Sequence, residues 1–254
     1  MSETSHDARA AWLIRLGDGA LILGHRLSEW SSRAPTLEED IALSNLALDL
    51  IGQTRALYGR ACEIEGGARD EDGLAYRRAE QEFRNPLLVE QPNGNFADTM
   101  ARHLLYVAFA LPLYEKLRDS NDAEVAGIAA RSAREMAYHL RHASEWVIRL
   151  GDGTAESHAK TQAAFDELWA YVPELFDADD LDRDMAANGF GVDPSTLRGA
   201  FDATVAAVLS QATLTRPPDT HGLRGGRTGA HSEHIGHLLA QMQSLSRAYP
   251  DARW

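Results

Sequence analysis

Glu135, His139 and His142 lie at offsets of zero, four and seven within SAREMAYHLRHASEW (132–146). At about 100° per residue, the three side chains project from one face of a helix, and Trp146 continues the row. A carboxylate and an imidazole one turn apart are what a metal site in a bundle core is made from. Other polar residues form stripes where apolar ones would pack better: Asp18, His25 and Glu29; Asn45 and Asp49 with Gly52 and Ala56; Asp98 and Arg102. Asp49 sits inside LALDLIG. A buried, ionised carboxylate costs several kcal/mol unless it is paired or bound to a cation.

The order carboxylate helix, polar helix, crossover, carboxylate helix, Glu/His helix is the plan of carboxylate-bridged di-metal bundles. Those bundles take a Glu from each of two helices and a Glu-x-x-His pair from each of the other two. This chain departs from that plan. The second helix offers Asn45 and Asp49 with no histidine nearby, so one metal would lack its nitrogen ligand. The fourth helix has Glu-x-x-x-His spacing, with Tyr138 where the histidine usually stands. Arg102, one turn from Asp98, competes with a cation for the carboxylates. A buried ion-pair network of Asp49, Asp98, Arg102, Glu135 and His139 is the stronger reading, and a mononuclear or partly occupied metal site the weaker.

A second cluster lies in GGRTGAHSEHIGHLL, with His231, His234, His237 and Glu233. His234 and His237 suit zinc by spacing but have no obvious third ligand. The glycine-rich turn with Arg224 and Arg227 suits an anion at a helix N-terminus. The plainer reading, a C-terminal helix reached through a flexible loop, is favoured.

The elements that must position these residues are helical almost throughout. The periodicity predicts helices over 18–33, extended through Gly17 to 7–16, and over 36–66, 74–84, 96–118, 122–150, 155–176, 194–214 and 231–248. The second is apolar nearly all round between Ile41 and Leu57, so it is expected to be central and buried. The segment NPLLVEQPNGNFADT reads as a long crossover connection. The fold class is all-α, a ferritin-like helical bundle with additional helices, in one domain over 1–254 whose start, about 1–15, is flexible. A formal charge of −13 argues against nucleic acid and anionic membranes as partners. No run of 18 apolar residues or signal-like h-region is present, and the single cysteine, Cys62, fits a reducing cytoplasm.

The blocks LGDGALILGHRLSEW, NLALDLIGQTR, NPLLVEQPNGNFADTMARH, AREMAYHLRH, ELFDADD, VDPSTLR and the C-terminal GGRTGAHSEHIGHLLAQMQSLSRAYPDARW closely resemble the C-subunit family of ring-1,2-phenylacetyl-CoA epoxidases. The resemblance runs in order from about Leu16 to Trp254. It implies a ferritin-like subunit of a multicomponent mono-oxygenase of aerobic phenylacetate breakdown. It further implies a sister subunit that holds di-iron, and a reductase with flavin and an iron–sulfur centre that draws electrons from NADPH. On that resemblance this chain is structural and pairs with the catalytic subunit and other subunits; an exposed apolar partner face would favour self-association of the chain alone. Glu29, Asp49, Asp98, Glu135 and His139 are then vestigial ligand positions, with no catalytic residue or cofactor in this chain. The competing expectation is a metal-binding oxidase active in its own right. The connection LVEQPNGNF and the turn GGRTGAHSEH are the expected partner surfaces, being long loops.

Overall fold

Apolar residues recurring every three to four positions, with caps at the breaks, divide this chain into helices. The computed structural model describes residues 3–67, 69–219, 221–250 and 252, with the backbone alone for residues 3–7. In chain order the helices are α1 (Glu3–Ser28), α2 (Leu37–Ile64), α3 (Glu71–Tyr76), α4 (Leu87–Glu90), α5 (Phe96–Leu117), α6 (Ala123–Gly151), α7 (Ala155–Leu168), α8 (Asp180–Ala187), α9 (Arg198–Gln211), α10 (Glu233–Met242) and α11 (Ser244–Ala248). Among the described residues there is no strand, so the chain is all-α, consistent with a ferritin-like helical fold.

The chain divides into two compact units. The first comprises residues 1–33, 38–92 and 225–254, hence α1, nearly all of α2, α3, α4, α10 and α11. Here Thr54 Oγ1 of α2 donates to the Gly17 carbonyl of α1 at 3.2 Å. A side chain at Gly17 would collide with the Tyr58 ring, so only glycine lets the two helices approach this closely. α1 begins at residue 3, and Trp12 and Leu13 on it are fully buried. Met1 and Ser2 lie outside the described residues.

The second unit comprises residues 34–37 and 93–224. Its spine is the antiparallel pair α5 and α6, joined by a short turn, with α7 and α9 packed on α5. Asn95 starts α5 by accepting from the amides of Ala97 (2.8 Å) and Asp98 (3.4 Å). Asp122 starts α6 by accepting from Glu124 and Val125, both at 3.1 Å. α6 buries Val125, Ala129, Met136, His139, Ala143 and Val147, a stripe at helical spacing.

Three expectations need correction. α2 is not buried all round between Ile41 and Leu57: Ile41 and Leu48 are 54% and 63% exposed. Hydrophobicity alone does not say that the same chain covers a helix face. The region 74–84 holds only the end of α3 and a single 3-10 turn at Glu80–Glu82. The 155–176 segment leaves the α-helix at Leu168 and continues as 3-10 turns, with Pro173 lacking the amide a continuing helix needs. α8 lies outside every segment that the periodicity predicts. Its start is a reciprocal Asp179–Asp182 cap.

Candidate functional site

In the second unit the conspicuous polar cluster lies between α5 and α6. α5 buries an almost unbroken run from Thr99 to Ala108, and within it Arg102 and His103 are fully buried. Arg102 Nη2 donates to Asn93 Oδ1 at 2.5 Å. The His103 and His139 rings lie 5.2 Å apart, centroid to centroid, tilted by 40°. Burial first, then the charges of His139, His142 and Arg102, hold the His103 pKa well below its usual value, so the ring is neutral. Neither His103 nitrogen meets a hydrogen-bond partner among the described residues. An unsatisfied buried polar group of this kind destabilises by about 1–3 kcal/mol.

The sequence-predicted residues of this unit divide. His139 is fully buried against His103, as an inward row requires. Glu135, 23% exposed, lies 3.6 Å from Arg131 one turn earlier on the same helix. Asp98 is not an inward ligand: its carboxylate accepts from the Asn95 backbone amide at 2.7 Å and closes the α5 capping box. The third residue of a helix is where a carboxylate reaches back to the cap, and that local bond takes the side chain.

The first unit holds its own buried polar groups. Asp18 of α1 is fully buried. Its carboxylate accepts from the Tyr58 hydroxyl, from both terminal nitrogens of Arg78 (Nη1 at 3.1 Å) and from the Arg84 amide at 2.7 Å. The Arg78 guanidinium also stacks on Phe83 at 4.1 Å. Burial, then the Asp18 charge, push the Tyr58 phenol well above its normal pKa, so it stays a donor. Glu29 follows α1 and accepts from Arg26 Nη1 at 2.9 Å. Asp49 is half-buried on α2, and Asn45 is exposed.

Glu90 is a second fully buried carboxylate, one that sequence reasoning does not single out. It accepts from Asn85 Nδ2 at 3.0 Å and from the Ser232 amide at 2.6 Å. His231 Nδ1 lies 2.8 Å from Glu90 Oε2, and its Nε2 lies 3.1 Å from the Phe83 carbonyl. The Glu90 carboxylate and the Phe83 carbonyl can both accept, a geometry that suits a ring donating from both nitrogens. Burial lowers the His231 pKa, but the Glu90 bond and charge outweigh it, and the net shift is upward. The glycine-rich turn is therefore not a flexible loop. A side chain at Gly226 would meet the Asn85 carbonyl, and one at Gly229 the Gln81 carbonyl. The His234 and His237 pair gains no third zinc ligand among the described residues, and the neighbouring His231 is turned to Glu90. The anion reading loses Arg224, whose Nε donates to Asp177 at 2.5 Å. The one signal for Glu90 is a carboxylate closing the apolar run PLLVE.

Among the described residues, no group of three or more His, Cys, Asp or Glu side chains is arranged to hold a metal ion. A di-metal centre of this architecture needs four carboxylates and two imidazoles. The residues present do not fit that donor set, because Asp98 caps a helix and Asp49 has no histidine near it in its helix. Nor is any described helix long and apolar enough to cross a membrane.

Fold and site together define an all-α helical protein in which several ligand-like positions are occupied by caps and ion pairs. The family described as phenylacetic acid catabolic protein matches residues 1–254, including the start that the motif resemblance leaves out. The chain is 47% identical over 244 residues to the 1,2-phenylacetyl-CoA epoxidase C-subunit of Escherichia coli (strain K12), covering 96% of this chain and 98% of that relative. The chain belongs to the phenylacetic acid catabolic protein family.

Proposed function

We propose that this chain is a non-catalytic subunit of a multicomponent phenylacetyl-CoA 1,2-epoxidase, pairing with and supporting a di-iron subunit of similar ferritin-like fold. On this reading residues 1–254 act as one cytoplasmic module with no cofactor of their own. Iron belongs to the sister subunit, and flavin, an iron–sulfur centre and NADPH belong to the reductase. The observation that carries the reading is Asp98: a position where a metal-bearing bundle would present a carboxylate inward instead caps α5. The exposed row Leu37, Ile41 and Leu48, at offsets of zero, four and eleven on α2, supports a partner or self-association through that face.

The test is elemental analysis of the purified chain beside the complex co-expressed with the sister subunit. The expected result is iron in proportion to the sister subunit and turnover by the complex alone. A second reading, a metal-binding oxidase active by itself, is favoured by one observation, the buried His103–His139 pair. It requires about two metal ions per chain and oxygen consumption by this polypeptide supplied with a reductant and substrate.

A further inference from the structure

The outer face of α6 carries Arg131, Arg134, Arg141 and Arg149, all exposed, with exposed Tyr138 between them. At about 100° per residue the five side chains fall within about a quarter of the helix circumference. In a chain of formal charge −13, this face is an exception.

Several arginines elsewhere on the surface are matched at close range, although exposed Arg55 reaches Glu71 only at 3.6 Å. Arg60 meets Glu63 at 2.8 Å, Arg198 meets Asp202 at 2.9 Å, and Arg216 meets Asp219 at 3.0 Å. On α6, Arg131 has a carboxylate only at 3.6 Å, and Arg134 has no ion pair among the described residues. Arg141 lies over the Tyr138 ring at 5.2 Å and Arg149 over the Trp146 ring at 4.6 Å. Trp146 is itself held edge-on by Phe96 at 4.9 Å. Stacking fixes these guanidinium planes and leaves their N–H edges for carboxylate recognition. The acids on or beside this face are Glu124 near the start of the helix, Glu135 and Glu145.

We propose that the α6 arginine face is a docking surface for an acidic partner polypeptide, presenting carboxylates in a row along α6. The inference rests on the reading of this chain as a complex subunit and identifies the chemistry of one of its contacts. From Arg131 to Arg149 the helix rises about 27 Å. Successive arginines are separated by rises of about 4.5, 10.5 and 12 Å. A line of cations this long matches many carboxylates on a protein surface. It does not converge on one point, as a site for the diphosphate of a coenzyme A thioester would. Nucleic acid is opposed by the strongly negative charge of the whole chain.

The test uses the full-length chain against each separately purified subunit of the epoxidase, with binding measured at 50 and 300 mM NaCl. Wild type should bind one subunit with affinity that falls steeply with salt. The double variant Arg134→Glu/Arg141→Glu should bind that subunit at least tenfold more weakly with an unchanged melting temperature. Arg134→Lys/Arg141→Lys, which keeps the charge, should stay within a few fold of wild type. A flat salt response of the unmodified protein overturns the inference without any variant. So does an equal affinity of the Glu variant for every subunit, or an effect confined to coenzyme A binding or to self-association. If wild type binds no subunit at all, the underlying reading fails as well; if wild type binds and the Glu variant binds equally, only the docking surface fails.

Discussion

In the first unit, Asp18 and Glu90 are buried with a basic side chain and further donors directly against each carboxylate, whereas in the second unit the buried His103 ring meets no hydrogen-bond partner among the described residues. The Asp18 and Glu90 clusters on one side and the His103 ring on the other meet the cost of burying polar groups in opposite ways. One keeps the charge and surrounds it; the other keeps the group neutral and leaves its nitrogens unsatisfied. A satisfied ionic cluster fixes the geometry of the segments that supply its members. Here those segments are far apart in the chain, with 60 residues separating Asp18 from Arg78 and 141 separating Glu90 from His231. The neutral imidazole does no such joining, and its removal should be tolerated.

The largest test of this contrast is Asp18→Asn. It leaves Arg78 buried without its counter-charge and the Tyr58 hydroxyl without its charged acceptor, and should cost about 3–5 kcal/mol, read by urea unfolding. A loss under 1 kcal/mol would show that the cluster is not what holds α1, α2 and the 78–84 segment.

Next is His231→Gln, expected to cost about 1.5–3 kcal/mol through the lost charged hydrogen bond. Its pH dependence carries the sharper information. A folded pKa raised above 6.5 stabilises fully below pH 6.5, and the stabilisation is lost as pH rises through the folded value. The stability difference between wild type and His231→Gln should therefore shrink on the alkaline side.

His103 acts with the opposite sign. Its depressed folded pKa costs nothing above pH 6.5, and the cost grows as pH falls below 6.5, where the unfolded chain takes the proton first. His103→Leu should raise stability by about 1 kcal/mol at neutral pH and flatten the acid limb of the melting curve. If instead the variant lost bound metal or turnover with its fold intact, the cluster would be chemical and the contrast would break.

The smallest effect is expected from Glu135→Ala, which removes a loose pair at 3.6 Å. It should change stability by less than about 0.5 kcal/mol and leave turnover of the complex intact.

Much of the fold was legible because helix formation is local. The 3.6-residue period locates α1, α2, α5 and α6, and Asp122 marks the start of α6 without reference to the rest of the chain. Inward placement of His139 follows from the same period. Asp98 misleads although its cap is also local, because Asn-x-x-Asp at a helix start and an inward acid one turn before Arg102 occupy the same residue. Glu90 escapes notice because nothing within its own helix turn explains a buried carboxylate, and its partner His231 is distant in the chain.

The amino-acid order by itself therefore determined the helical class, the caps and the rows of side chains, because each depends on bonds and periodicities spanning a few residues. Only the tertiary structure decided which acids are compensated, which imidazole carries a proton and which faces of α2 and α6 are left uncovered. Those outcomes depend on which segments distant in the chain come within 3 Å of one another, and on how much water remains between them.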